Sequence, residues 1–245
     1  MCALLAVCVL SACGGAGGLG GLFESYEYEE EMYLSLGGTA TLYVNTSVAA
    51  LNALRGATFD TNPDIGLDRD AVRAWFESTD THVTRVTFSR RSNRRYIHVR
   101  LDVDSIEQLG AAAPFAWSAY SFKRDGELFY YKQTVGPAAG KDVGNVGWTG
   151  SEVIAFRMHL PSKIAYHNAG ADNLLRGNIL VWEQSLSDRR SGAPLVIDAR
   201  VETQSILYRT LALFGVTLVI VASFFVLMLW FVLRRGGKSK NTARA

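Results

Sequence analysis

Tyr26-Glu27-Tyr28-Glu29-Glu30-Glu31-Met32-Tyr33-Leu34-Ser35-Leu36-Gly37-Gly38-Thr39-Ala40-Thr41-Leu42-Tyr43-Val44 is the stretch on which the fold reading turns. Met32, Leu34 and Leu36 share one face and Glu27, Glu29 and Glu31 the other, the period of a strand laid on a core. Gly37-Gly38 interrupts the pattern and supplies the positive φ of a tight turn, so a β-hairpin is predicted. With Glu30 alongside, the acidic positions read as a solvated face whose mutual repulsion is relieved by water, with no catalytic role.

Working outward, Ser47 offers an N-cap before Val48, Leu51 and Leu54, and Gly56 stops this short helix. Asp68 caps a second helix with Val72, Trp75 and Phe76 inward. Residues 83–88 and 96–103 form a second hairpin, with Ile97, Val99, Leu101 and Val103 toward the core. Asp104 or Ser105 opens a third short helix through Leu109, ended by Pro114. Strands follow at 117–123, 128–135, 153–160, 179–184 and 195–201, with a turn at Asp125-Gly126 and a glycine-rich loop up to Gly150. Hairpins joined by short helices, without a regular strand-helix-strand repeat, make an α+β domain on an antiparallel sheet.

Both ends lie outside that domain. Residues 211–233 carry no charge over 23 positions, roughly 34 Å of helix at about 1.5 Å per residue, enough to cross a hydrocarbon core of about 30 Å. Arg234, Arg235, Lys238, Lys240 and Arg244 follow the span, while Arg209 alone precedes it closely, which places the tail in the cytoplasm and the bulk of the chain outside. Residues 1–13 are apolar, too short to span, and end in small residues, the form of a secretory signal. Leu10-Ser11-Ala12-Cys13 resembles the lipobox of bacterial lipoproteins, which makes Cys13 the expected lipidation site. The positively charged n-region is missing, which leaves a start upstream or an uncleaved apolar arm. Residues 14–23 form a glycine-rich tether by composition. The chain thus divides into a signal segment at 1–13, this tether, an exported domain at 24–205, the membrane helix at 211–233 and a basic tail at 234–245.

Cys2, Cys8 and Cys13 all fall within the signal, so the exported domain has no disulfide and depends on its core. Of 25 Lys and Arg, six lie in the tail or at Arg209, leaving 19 against 23 acidic residues, which excludes a bulk nucleic-acid binder. Asp60, Asn62, Asp64 and Gly66 suggest a calcium loop, but Ile65 and Ala71 stand where that loop needs glycine and glutamate. His82, His98, His159 and His167 have no ligand spacing, so no metal and no cofactor is expected, and His98 and His159 should face solvent. Gly147-Trp148-Thr149-Gly150-Ser151 lacks the order of a nucleophile elbow, and no catalytic residue is assigned. Arg90, Arg91, Arg94 and Arg95 flank Ser92-Asn93 at the second hairpin's tip, where guanidinium forks could grip an anionic headgroup or polymer. At an exposed tip, Arg94→Ala and Arg95→Ala should barely change stability.

Leu160-Pro161-Ser162-Lys163-Ile164, then Asn168, Gly177, Val181-Trp182, Gly192 and the apolar run at 195–199, resemble the LppM-like lipoprotein domain. That family shows a proline-led segment, an asparagine, a strand carrying a tryptophan and a closing apolar strand before a membrane helix. Pro161, Asn168 and Trp182 match its motif, Ser162 replaces its usual glycine, and residues 169–176 look like an insertion. The resemblance implies a curved antiparallel sheet with short packed helices, an apolar cavity, and binding of lipid or glycolipid. The expected partners are membrane lipid and an amphiphilic envelope ligand, or, alternatively, another envelope protein assembled without catalysis.

Overall fold

The computed structural model describes residues 26–176 and 178–236. The quoted stretch forms β1 (Tyr26–Leu34) and β2 (Ala40–Ser47), turned at Gly38 with φ +82° and paired Met32↔Leu42. Ser47 closes β2 and opens α1 (Val48–Arg55) by accepting the Ala50 amide at 3.0 Å, and Gly56 ends it at φ +77°. Asp68 likewise caps α2 (Arg69–Phe76). The second hairpin is longer than its apolar residues suggest, because the arginines continue the ladder: β3 (Thr81–Arg91) and β4 (Arg94–Val103) pair as far as Arg91↔Arg94. Ser92 and Asn93 take φ +48° and +57°, the two left-handed positions of a tight hairpin turn. The third expected helix is a 3-10 turn, Ile106–Ala111, and Ser105 makes no side-chain cap.

The rest comprises β5 (Ser118–Asp125), β6 (Leu128–Val135), β7 (Val153–His159), β8 (Ser162–His167), β9 (Leu174–Leu175), β10 (Ile179–Ser185), α3 (Leu186–Arg190) and β11 (Leu195–Ser205). Seven strands make one sheet in the order β3-β4-β2-β1-β7-β10-β9, and four make a second in the order β5-β6-β11-β8. The α+β class stands, with one departure from antiparallel order: β1 and β7 run parallel, Met32 beside Met158. The cause is the loop between β6 and β7. It stays at the end of the domain where β6 stops, and Gly136 is pinned there to the Trp117 carbonyl at 2.6 Å, too close for any Cβ. β7 therefore starts beside the start of β1.

One apolar cluster joins both sheets and the helices, drawing on Leu42, Val44, Ile97 and Phe156 from the larger sheet, Tyr131, Ile197 and Val201 from the smaller, and Leu51, Leu54 and Phe76 from the helices. The space between the sheets is filled: a void lined by Glu30, Met32, Gln133, Phe156 and Trp182 measures about 10 Å³, the size of one water. The apolar cavity implied by the resemblance is not formed at that place.

β11 passes directly into α4 (Ile206–Gly236), with no linker residue between Ser205 and Ile206. Within α4, Thr210–Arg234 is 25 residues long with a mean hydropathy of 2.8 and is nowhere buried against the domain, so it is long and apolar enough to cross a membrane. This junction gives the domain two distinct ends. Ser205 pairs with Ser162, three residues beyond the end of β7, so the C-terminal ends of β1, β4, β7 and β11 lie together at the α4 end. The β3–β4 tip lies at the opposite end, one ten-residue strand away, or roughly 30 Å.

Candidate functional site

The outer face of the larger sheet carries a groove of about 640 Å³ at the α4 end. Register builds it: Tyr33 lies beside Thr41 on one side and His159 on the other, and Thr41 beside Asp102. Tyr33 stacks on His159 with centroids 3.8 Å apart and meets Tyr43 edge-on at 5.7 Å, while the Arg100 guanidinium lies 5.6 Å over Tyr43. The Thr41 hydroxyl donates to Asp102 at 2.9 Å, and His159 Nε2 meets Glu31 at 2.6 Å. Leu34 and Leu160, both nearly buried, and Pro161 line the remainder. Aromatic faces, hydroxyls, carboxylates and a guanidinium over an apolar border suit a ligand with a polar head and an apolar body.

The acidic strand behaves otherwise than its spacing predicts. Glu27, Glu29 and Glu31 share a face, but each is met by protein rather than water. Glu27 is fully buried and accepts from Arg94 at 2.7 Å, Tyr96 at 2.6 Å and Trp148 at 3.1 Å. Glu29 is held by Arg157 at 2.8 Å and Asn45 at 3.1 Å. Glu31 takes His159, so that histidine is partly buried instead of facing solvent, and His98 is likewise held between Ser89 and Asn45. Glu30 points into the core, where Arg55 reaches its carboxylate at 3.0 Å and also donates to the Tyr28 hydroxyl. Burial pushes the Glu30 carboxyl above the usual range, against the opposing pull of Arg55 and hydrogen bonds from Tyr28, Gln133 and Tyr120.

The four tip arginines do not converge on one site. Arg94, expected at an exposed tip, is only 8% exposed, because Glu27 and the Gly147 carbonyl draw its guanidinium inward. Arg95 donates to the Pro63 carbonyl at 2.7 Å, and Arg91 to the Tyr26 carbonyl and the Tyr96 hydroxyl. Arg90 forms an exposed pair with Asp64 at 3.1 Å. Such a pair is worth about 0–1 kcal/mol, so Arg90→Ala is expected to shift the thermal midpoint by only a degree or two in a melt of the purified chain. A second groove, about 360 Å³, runs between this tip and the loops carrying Asn62 and Asn145.

Asn168 and Trp182, matched separately in the sequence, meet in space. The Trp182 indole donates to Asn168 Oδ1 at 2.9 Å, the same oxygen accepts the Asp198 amide at 2.9 Å, and Asn168 Nδ2 reaches the Val196 carbonyl at 2.7 Å. Asn168 thereby clamps β10 to β11. Pro161 borders the larger groove. Cys13, the segments expected to be a signal and a tether, and most of the basic tail lie outside the described residues. Among the described residues no group of three or more His, Cys, Asp or Glu could hold a metal ion.

Neither a family model nor a curated protein matches the chain. Among solved structures, it is similar to the folded domain of LppM from Mycobacterium tuberculosis, determined by NMR, at 12% identity over 76% of this chain and 95% of that one, with a TM-score of 0.39.

Proposed function

We propose that this chain is a single-pass envelope protein whose domain lies outside the cell membrane, with its basic tail in the cytoplasm, and binds a lipid or similar amphiphile without catalysing a reaction. The observation that carries this reading is the position of the 640 Å³ groove at the α4 end of the domain, the end that a membrane-spanning α4 would hold nearest the bilayer. A ligand whose acyl chains remain in the membrane can present its head there without leaving it. The lining suits a hydroxylated head, with Tyr33 as a face for stacking and Arg100 and Asp102 for hydrogen bonds.

Native mass spectrometry of the full chain, released from membranes in mild detergent, tests this. Co-purified lipid is expected on the wild type. It should be roughly ten- to a hundredfold weaker in a Tyr33→Ala/Arg100→Ala variant, because loss of one charge-assisted hydrogen bond and one stacking face is worth on the order of 1.5–3 kcal/mol. Both side chains are exposed, so the variant should melt like the wild type. Equal lipid on both proteins would remove the groove from the function and favour an assembly role. Protease treatment of intact cells tests the topology: a tag after Ala245 should be protected.

A further inference from the structure

The β9–β10 hairpin ends in two adjacent large apolar side chains that the domain leaves uncovered: Leu174 is 46% exposed and Leu175 is 44% exposed, with exposed Arg176 following. Backbone contacts fix where this hairpin lies. Leu175 pairs with Ile179, and the preceding Asn178, in a left-handed turn at φ +60°, donates its side-chain amide to the Ser162 carbonyl at 2.8 Å. The Asn178 carbonyl accepts the Leu160 amide at 3.0 Å. Ser162 in turn donates to the Gln204 carbonyl at 2.5 Å and pairs with Ser205, the last residue before α4. A few hydrogen bonds thus tie the leucine hairpin to the root of the helix.

The depth of that root follows from chain length. From Ser205 to Thr210, where the apolar span begins, there are five residues of helix, about 7 Å at about 1.5 Å per residue. The headgroup layer is itself about 5–8 Å deep on each side of the hydrocarbon. Ser205 therefore sits at the outer edge of that layer, and the hairpin bonded to it lies within reach of it.

We infer that Leu174 and Leu175 form a second contact between the domain and the bilayer, inserted among the headgroups beside α4, with Arg176 facing lipid phosphates. Leucine side chains at that depth trade water for acyl boundary, and a neighbouring guanidinium on a long stem reaches outward to phosphate. The exposed Lys163 on β8 flanks the same end. Two contacts at the same depth, the helix and the hairpin beside it, restrict how far the domain can tilt against the membrane plane, which a single helix leaves free. The groove lined by Tyr33, Arg100 and Pro161 lies at this same end of the domain. This inference rests on the membrane-spanning reading of α4 but not on any ligand.

Spin labels on the full chain in phosphatidylcholine and phosphatidylglycerol vesicles test it, with Cys2, Cys8 and Cys13 changed to serine. Single sites are Leu174→Cys and Leu175→Cys in the hairpin, Leu211→Cys in the span and Asn93→Cys at the opposite end. Collisions with oxygen, which concentrates in the bilayer, are compared with collisions with a water-soluble nickel chelate. The expected result is an oxygen-to-nickel ratio at Leu174 and Leu175 that approaches the Leu211 value and exceeds the Asn93 value. A hairpin ratio equal to that at Asn93, with Leu211 still lipid-exposed, overturns the contact while leaving the span intact. Low collision rates with both reagents, together with an immobilised spectrum, would mean that protein covers the leucines and would equally overturn it. An aqueous ratio at Leu211 would instead remove the span itself. Thermal melts of each labelled chain confirm that the exposed substitutions leave the fold in place.

Discussion

Replacing Glu27 by alanine is expected to cost about 3–5 kcal/mol of folding stability, the loss typical when one member of a buried ion pair is removed and the other stays. Glu27 is fully buried and is the shared acceptor for Arg94, Tyr96 and Trp148, so its loss strands a guanidinium, a phenol and an indole together. At about 2–4 °C per kcal/mol for a domain of this size, the thermal midpoint should fall by roughly 6–20 °C. Arg94→Ala should cost a similar amount for the reciprocal reason. The double variant should then lose much less than the sum of the two, because neither charge is left alone. Melts of the four proteins in one detergent provide the check. Additive small losses would show that the pair is effectively solvated.

Trp182→Ala carries the other large expectation, again about 3–5 kcal/mol, since it empties a large buried site beside Phe156 and also removes the indole donor from Asn168. Trp182→Phe separates the two losses. It keeps most of the ring and forfeits one hydrogen bond, for about 1 kcal/mol. Because Trp182 does not line the 640 Å³ groove, lipid bound per folded molecule should be unchanged in both variants. A Trp182→Ala chain that melts normally but loses its lipid would reverse this assignment and make the indole part of a ligand site.

Local rules were legible in the sequence wherever a residue acts on its own neighbours. Ser47, Gly56 and Asp68 bound their helices as their cap chemistry requires, and Gly37-Gly38 turns the first hairpin. Alternation placed Ile97, Val99, Leu101 and Val103 inward, and they are buried. What period two cannot reveal is the partner waiting on the far face. The positions of Glu27, Glu29 and Glu31 were readable, but Arg94, Arg157 and His159 reach them only through tertiary pairing. The buried Glu30 was lost for the same reason, as its counter-ion Arg55 comes from the last turn of a helix. β8 and α3 escaped because each is short and lacks a clear apolar period. The large groove assembles from four strands, and a single stretch of chain carries no sign of it. The arginine cluster, by contrast, was conspicuous in sequence, and most of its members proved to be committed to internal partners.

The parallel junction of β1 with β7 sets an order of events during synthesis. The β1–β4 hairpins close on local contacts and can form early, but the free side of β1 has no mate until Val153–His159 has been made and the intervening chain has looped back. Until then the nascent sheet exposes an open strand edge, the kind of surface on which chains join one another. That strand carries Glu27, Glu29, Glu30 and Glu31, and a second copy brought alongside would set carboxylate against carboxylate. The rightful mate arrives carrying Arg157 and His159. A run of glutamates that ends as ion pairs in the finished domain would thus serve first as a gatekeeper, admitting one strand and repelling copies of itself.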